Sequence, residues 1–407
     1  MMATKIEWTD ETWSPVRVRV RKDAAAIAML EGYASLVQIV EKMAGRVGQH
    51  CEHVSAGCEH CYAETNNHRC LPANGTGLPY DRRSRDLVEA FVDEKVLLQP
   101  LRWKSPRKIF VENQSDIFGE WVTDEMRDRV FAVMALCPQH TFQVLTKRPQ
   151  GMLEYLSGER WHRNVQASIY SEIHDRGHKW DQKLLDVVNK RANQSAHNLD
   201  FYKPLSNVWL GVSVENQAAA DERIPLLLQT PAAKRFVSCE PLLGAVNLNR
   251  IPAGDGLTVV NALAAMIFRG DGAKRLVELD WVICGGESGP GARPMHPDWA
   301  RGLRDACVAA GVPFFFKQWG EWQDGSDCRA KELVLYRDGR TCEVSKEAIL
   351  AEEHRSGERH RNNGSRIISR VGKKAAGHLL DGVEWHQFPT PQQVKLAGDP
   401  DPEVKRG

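Results

Sequence analysis

Residues 51–64 read CEHVSAGCEHCYAE and place Cys51, Cys58 and Cys61 in a C-x6-C-x2-C spacing on a glycine-containing loop. Thiolates on one short loop suit an iron–sulfur cluster. Three of them hold three irons of a 4Fe-4S cluster and leave the fourth iron open to a small molecule. Zinc is the rival. A closed zinc site needs four ligands, and Cys70, His53, His60 and His68 are all near in sequence. By spacing alone, cluster and zinc stand level, and three unliganded thiols are the remaining reading.

Cys137, Cys239, Cys284 and Cys307 sit singly in apolar surroundings, as ordinary buried thiols do. The N-terminal stretch has no basic segment followed by an apolar one, and no apolar run is long enough to cross a bilayer. The expected setting is therefore soluble, cytoplasmic and reducing, where clustered cysteines point to metal rather than to disulfides. Lys and Arg number 54 against 53 Asp and Glu, a formal net charge of +1. Such a balance gives no global attraction to nucleic acid or membrane, so any binding of that kind needs local patches. Candidate patches are Arg82, Arg83 and Arg85, residues 102–108, and residues 354–370.

The elements that must position the cysteines are short apolar runs: Lys108–Val111 (KIFV), 141–145 (TFQVL), 208–214 (VWLGVSV), 235–238 (RFVS), 279–284 (LDWVIC) and 312–316 (VPFFF). Near-continuous apolar runs rich in β-branched and aromatic residues read as strands buried on both faces. Between them, residues 123–136 and 297–310 carry apolar residues at helical spacing, the second ending at Gly311. Alternating strands and helices imply parallel βαβ units. Six such strands plus one near the N-terminus predict an α/β fold, a full or partial (β/α) barrel, with a doubly wound open sheet as the alternative. Each run ends in polar residues: 112–116, 146–148, Glu215-Asn216, Glu240, Glu287-Ser288 and Lys317-Gln318. In barrels, the C-terminal strand ends carry the site. The barrel is expected over 1–327, interrupted by insertions at 17–50, 158–206 and 244–278. An extension follows over 328–407, with a basic segment and a frayed end.

Several blocks resemble a phage-encoded three-cysteine-motif family, a divergent branch of the radical S-adenosylmethionine enzymes distantly similar to spore photoproduct lyase. They are 5–10 (KIEWTD) and 13–15 (WSP), the cysteine motif followed by Tyr-Ala-Glu, and 115–119 (SDIFG). Further blocks are 145–149 (LTKRP), 209–215 (WLGVSVE), 238–241 (SCEP), 284–289 (CGGESG), 316–320 (FKQWG), 372–377 (GKKAAG) and 381–385 (DGVEW). The chain departs from the commoner C-x3-C-x2-C pattern, and residues 17–50 separate its Trp-Ser-Pro block from the first cysteine. The resemblance implies a radical SAM barrel with a 4Fe-4S cluster on Cys51, Cys58 and Cys61, and Cys70 as a bystander. S-adenosyl-L-methionine would sit on the open iron, and an electron donor would trigger formation of a 5′-deoxyadenosyl radical. By position, Asn113, Ser115 and Asp116 would contact the methionine part and Ser213 and Glu215 the ribose. Lys147, Glu240, Glu287 and Lys317 would face the substrate.

The resemblance further implies a nucleic-acid base as substrate, flipped into the barrel if it lies in duplex DNA. The reaction it suggests is isomerisation of an amino-acid-modified thymidine during hypermodification of phage DNA, which evades host restriction in the host cytoplasm. A protein from a neighbouring gene could take part. A DNA-repair-type lyase with the same cofactors is one alternative, and a zinc-stabilised non-catalytic nucleic-acid-binding module is another.

Overall fold

The computed structural model describes residues 6–390 apart from 70–74, 159–160, 175–181, 183–184, 187–188, 190–203, 254–258, 265, 270–271, 276, 328–329 and 344–363. Its centre is a sheet of seven parallel strands. They are β1 (Glu11–Trp13), β2 (Lys108–Val111), β3 (Thr141–Thr146), β4 (Val208–Ser213), β5 (Lys234–Cys239), β6 (Trp281–Gly285) and β7 (Phe314–Gln318). All six apolar runs and the N-terminal strand are present. The strands lie side by side in chain order, and β1 does not pair with β7, so the curled sheet is a half-barrel. This corrects the doubly wound alternative, in which strand order must reverse at a switch point.

Helices α1 (Asp124–Ala135), α2 (Pro149–Ser157), α3 (Gln217–Gln229) and α4 (Pro297–Ala310) lie between strands. Their ends follow local chemistry. The Thr123 and Asn216 side chains accept from the amides of Met126 and Ala219 and cap α1 and α3, and Gly311 ends α4 at φ 70°. The convex face of the sheet is mostly apolar. Ile109, Val111, Phe142, Val144, Leu210, Val212, Val237, Cys239, Cys284, Phe314 and Phe316 belong to one core with residues of these helices.

The concave face changes character along each strand, because period-two alternation sends every second residue inward. Phe110, Trp209, Phe236, Trp281, Ile283 and Phe315 fill the lower part together with Trp8, and Phe388 packs against them. Trp281 is the hub, with ring centroids 5.7 Å from Phe236, 6.0 Å from Trp209, 6.1 Å from Phe315 and 6.2 Å from Trp8. Further along the same inward rows come Glu112, Lys147, Ser213, Ser238, Glu240, Glu287 and Lys317, which line a cavity. The half-barrel thus has an aromatic plug below and a polar chamber above.

The insertion at 17–50 is a folded lobe. Val16–Val20 pairs with Val47–Gly48 and with Val88–Val92, and Val18, Val20, Ala24, Ala28, Leu36 and Val40 pack on Leu78, Leu87 and Val88. The lobe carries two helices, Ala24–Leu30 and Ala34–Met43. Gly32 between them has φ 73°, which a continuing helix does not allow. Residues 244–278 contribute short antiparallel strands. The 158–206 insertion holds the helix Trp161–His174, and much of its remainder lies outside the described residues.

The extension begins as a small sheet in the order Trp322–Asp324, Arg366–Arg370, Lys331–Leu335, Thr341–Glu343. The chain then returns to the barrel. The amide of Phe316 donates to the Trp385 carbonyl at 2.7 Å, the amide of Gln387 to the Phe314 carbonyl at 3.2 Å, and the Trp281 indole to the Gln387 carbonyl at 2.8 Å. Residues 385–388 cover the open edge of β7, as exposed strand edges generally require. The end expected to fray, like the basic residues 354–363, lies outside the described residues. Among the described residues no helix is long and apolar enough to cross a membrane.

Candidate metal centre

Cys51, Cys58 and Cys61 all line a cavity of about 250 Å³ at the C-terminal ends of the strands. Asn113, Ser115, Asp116, Lys147, Ser213, Glu240, Glu287 and Lys317 line it too. Of the residues to which the resemblance gives a ligand, cofactor or substrate role, Glu215 alone is not part of the lining. It lies behind the cysteine loop.

The loop crosses the mouth of the half-barrel by a series of side-chain ties, each from a different strand end. After β2, Ser115 Oγ donates to the His50 carbonyl at 2.6 Å. After β3, Arg148 donates to the Glu52 carbonyl at 3.2 Å. After β4, the Glu215 carboxylate accepts from Ser55 Oγ and, at 2.8 Å, from Arg223, which also reaches the Ser213 carbonyl. After β6, Glu287 meets His60 Nδ1 at 3.1 Å and takes three bonds from Arg293. The chain then returns to β2, where Tyr62 Oη donates to the Asn113 carbonyl at 2.5 Å. Gly57 sits so close to Glu215 that a Cβ there would stand 3.0 Å from Oε1.

These ties redefine several expected roles. Glu215 and Glu287 hold the loop, and Asp116 is engaged by Thr146 Oγ1 at 2.8 Å and by the amides of Lys147 and Phe118. Burial opposes the charge of Glu287, but its bonds to Arg293 and His60 outweigh this and hold its carboxyl below the usual range. The same holds for Glu215, where burial is outweighed by the charges of Arg223 and Lys147 and the bond from Ser55. Asn216 caps α3 rather than entering the site. Glu240 and Lys317 face one another at 3.1 Å across the cavity wall, and the Trp8 indole and Ser238 Oγ each donate to Glu240 Oε2 at 3.2 Å. Lys147 has no ion-pair partner among the described residues. Arg148, Arg293, Ser55, Arg223 and Trp8 were not read as site residues from the sequence. Trp8 and Arg148 do stand inside the KIEWTD and LTKRP blocks.

The three thiols surround the cavity rather than meeting at a point. Among the described residues no group of three or more His, Cys, Asp or Glu side chains forms a ready-made metal cage. The donor chemistry nevertheless fits a cluster carried on three sulfurs. Burial, with the charges of Asp116, Cys61 and Cys58, pushes the Cys51 thiol up to about 12 despite Arg148. Burial also raises Cys61, against the amides of Glu64 and Ala63 and the charge of Lys147. A strongly cationic occupant is what would make such thiols thiolates. The histidines weighed as zinc ligands are engaged elsewhere: His53 with Glu64 at 2.7 Å, His68 with Glu64 at 3.5 Å, and His60 with Glu287. Cys70 lies outside the described residues.

Glu112 gives a stability prediction. It ends β2 at φ 53°, its Oε1 accepts from the Val16 amide at 2.8 Å, and its Oε2 is buried with no hydrogen-bond partner among the described residues. Burial raises its carboxyl from 4.5 to about 8. Between these values the folded state keeps a proton that the unfolded chain has lost. The contribution is therefore full below pH 4.5, falls as pH rises, and levels off above about 8. Glu112→Gln lacks this loss. Its stability relative to the parent should rise from pH 5 to pH 8 by up to about 4 kcal/mol, at about 1.4 kcal/mol per unit. Urea unfolding at the two pH values checks this, and a constant difference would refute the buried, protonated carboxyl.

Among the described residues, several side chains of the basic clusters expected to hold phosphates are paired within the chain, and residues 354–363 lie outside the described residues. Arg83 meets Asp81 at 2.5 Å, Arg85 meets Glu52 at 2.5 Å and also Glu120, Arg107 meets Glu11, and Lys108 meets Asp10 at 3.5 Å. Arg366 meets Asp298 at 3.4 Å.

The sequence profile of the family described as Protein of unknown function (DUF5131) matches residues 44–389, well over half of the chain. No curated protein and no solved structure matches it.

Proposed function

We propose, from the premise that the chain belongs to the DUF5131 family, that it is a radical SAM enzyme whose cluster is carried by Cys51, Cys58 and Cys61. The observation that carries the reading is the convergence of the three cysteines and the polar strand ends on one chamber at the C-terminal side of a parallel half-barrel. When bound, a 4Fe-4S cluster with S-adenosyl-L-methionine supplies an electron and a carbon-centred radical. The chain's own part is to hold and shield. The ties from Ser115, Arg148, Glu215 and Glu287 fix the loop. The aromatic plug closes the chamber from below and keeps water out. Lys147 offers a positive charge to an anionic group, and the Glu240–Lys317 pair offers a proton donor and acceptor side by side.

The substrate in this reading is a nucleic-acid base, and the reaction is isomerisation of an amino-acid-modified thymidine in phage DNA. It rests on the sequence resemblance. Because Arg83, Arg85, Arg107 and Lys108 are paired within the chain, recognition in this reading takes place in the chamber rather than along a track of phosphates. Anaerobic reconstitution is the test. About four irons per chain and reductive cleavage of S-adenosyl-L-methionine support the reading, while stoichiometric zinc without iron uptake overturns it. For the substrate, nucleosides of phage DNA made with and without the gene should differ in one modified thymidine. Identical nucleosides would remove that part of the proposal.

A further inference from the structure

We infer that Arg293 is the positioning residue that clasps the turn carrying Cys58 and so sets how far the cysteine loop can open. The inference rests on the proposed function only in regarding that loop as the ligand loop. Its physical basis is independent of what fills the chamber.

The turn is the single 3₁₀ turn Ala56–Cys58, closed by the Cys58 amide donating to the Ser55 carbonyl at 2.9 Å. One turn of this kind has little stability of its own. Arg293 grips it from both sides. One terminal nitrogen donates to the Ala56 carbonyl at 2.9 Å, and the other donates to Glu59 Oε2 at 2.8 Å. The same guanidinium is anchored on Glu287 through Nε at 2.9 Å and Nη2 at 2.6 Å, and the Arg293 amide adds a bond at 2.8 Å. Glu287 in turn holds His60. A planar fork with five donors can make all four of these side-chain bonds at once, and an ammonium with three donors cannot. The segment bearing Arg293 is pressed onto the loop as well. Gly291, at φ 81°, stands where a Cβ would lie 2.9 Å from His60 Nε2. Residues 56, 59 and 60 are thus tied to one element, and Cys58 between them is 8% exposed.

The test is thiol labelling of the full-length, metal-free, reduced protein with a maleimide, read residue by residue by mass spectrometry. In Arg293→Ala, Cys58 is expected to label about tenfold faster or more, through local opening of the turn. Cys307, buried behind the sheet, should stay slow, and Cys342, already exposed, should stay fast. Arg293→Lys keeps the charge and loses the fork, so its Cys58 rate should fall between parent and Ala variant. If Arg293→Ala does not fold, the Lys variant carries the same comparison. An unchanged Cys58 rate overturns the inference, as does a rise of Cys58 and Cys307 together, which is general loosening. Failure of the parent protein to take up iron would overturn the proposed cluster and leave the clasp standing.

Discussion

Replacing Cys51, Cys58 or Cys61 by Ala is expected to abolish iron binding in each case, from about four irons per reconstituted chain to near zero. In the proposed reading three thiolates would hold the cluster, and the two left in each variant would not retain it. Cys342→Ala, on the exposed strand Thr341–Glu343, should bind iron like the parent. Cys70→Ala should do the same, since the resemblance gives Cys70 no ligand role. Iron content and the visible absorption of the anaerobically reconstituted variants measure this. Full iron content in any one of the three variants would mean that another side chain ligates. Loss in Cys70→Ala would return the choice to a four-ligand site. The prediction is sharp because the loop is tied to the barrel through residues 50, 52, 55, 60 and 62 and not through the cysteines themselves. Each variant therefore removes a sulfur without removing the scaffold.

The largest effect on stability should come from Trp281→Ala, about 3–5 kcal/mol, the range for removing a large aromatic from a packed core. Trp281 is fully buried and touches five aromatic rings of the plug, and its indole nitrogen anchors the Gln387 carbonyl. The substitution leaves a cavity beneath the chamber and orphans an acceptor on the returning tail. Trp281→Phe, which keeps most of the volume, should cost clearly less. Urea unfolding of both variants gives the comparison. A loss below about 1.5 kcal/mol for the Ala variant would mean that the plug collapses easily around the gap.

The strands were legible because burial on both faces leaves near-continuous apolar runs, and the chamber because the inward row turns polar at the end of each run. Phe236, Ser238 and Glu240 show that switch within five residues. What could not be read was which polar end does what. Glu215 and Glu287 look like Glu240 in sequence, yet Glu215, braced by Arg223, holds the loop at Ser55 and Glu287, braced by Arg293, holds it at His60, while Glu240 faces Lys317 across the chamber. Those partners lie 8 and 6 residues downstream, on a helix and on a glycine-rich turn, and nothing in the spacing marks them. The pairing of the basic clusters was hidden for a related reason. The acids that neutralise Arg85 and Arg107 come from positions 33 to 96 residues away. The 17–50 insertion could not be seen as a lobe, because its core is completed by Leu78, Leu87 and Val88 from beyond the cysteines.

The return of residues 385–388 to the plug bears on how the chain is made. A ribosome delivers β1 to β7 in order, and helices can cover the convex face as each unit emerges. The concave face has no such cover. Trp281 and Phe315 await Phe388, roughly 100 residues after Trp281, which at 5–20 residues per second is roughly 5–20 s of synthesis. During that interval the nascent chain presents a row of aromatic rings to solvent, the surface that chaperones recognise and that aggregation exploits. Slowing translation across the extension should therefore lower the yield of folded protein more than slowing it within the barrel.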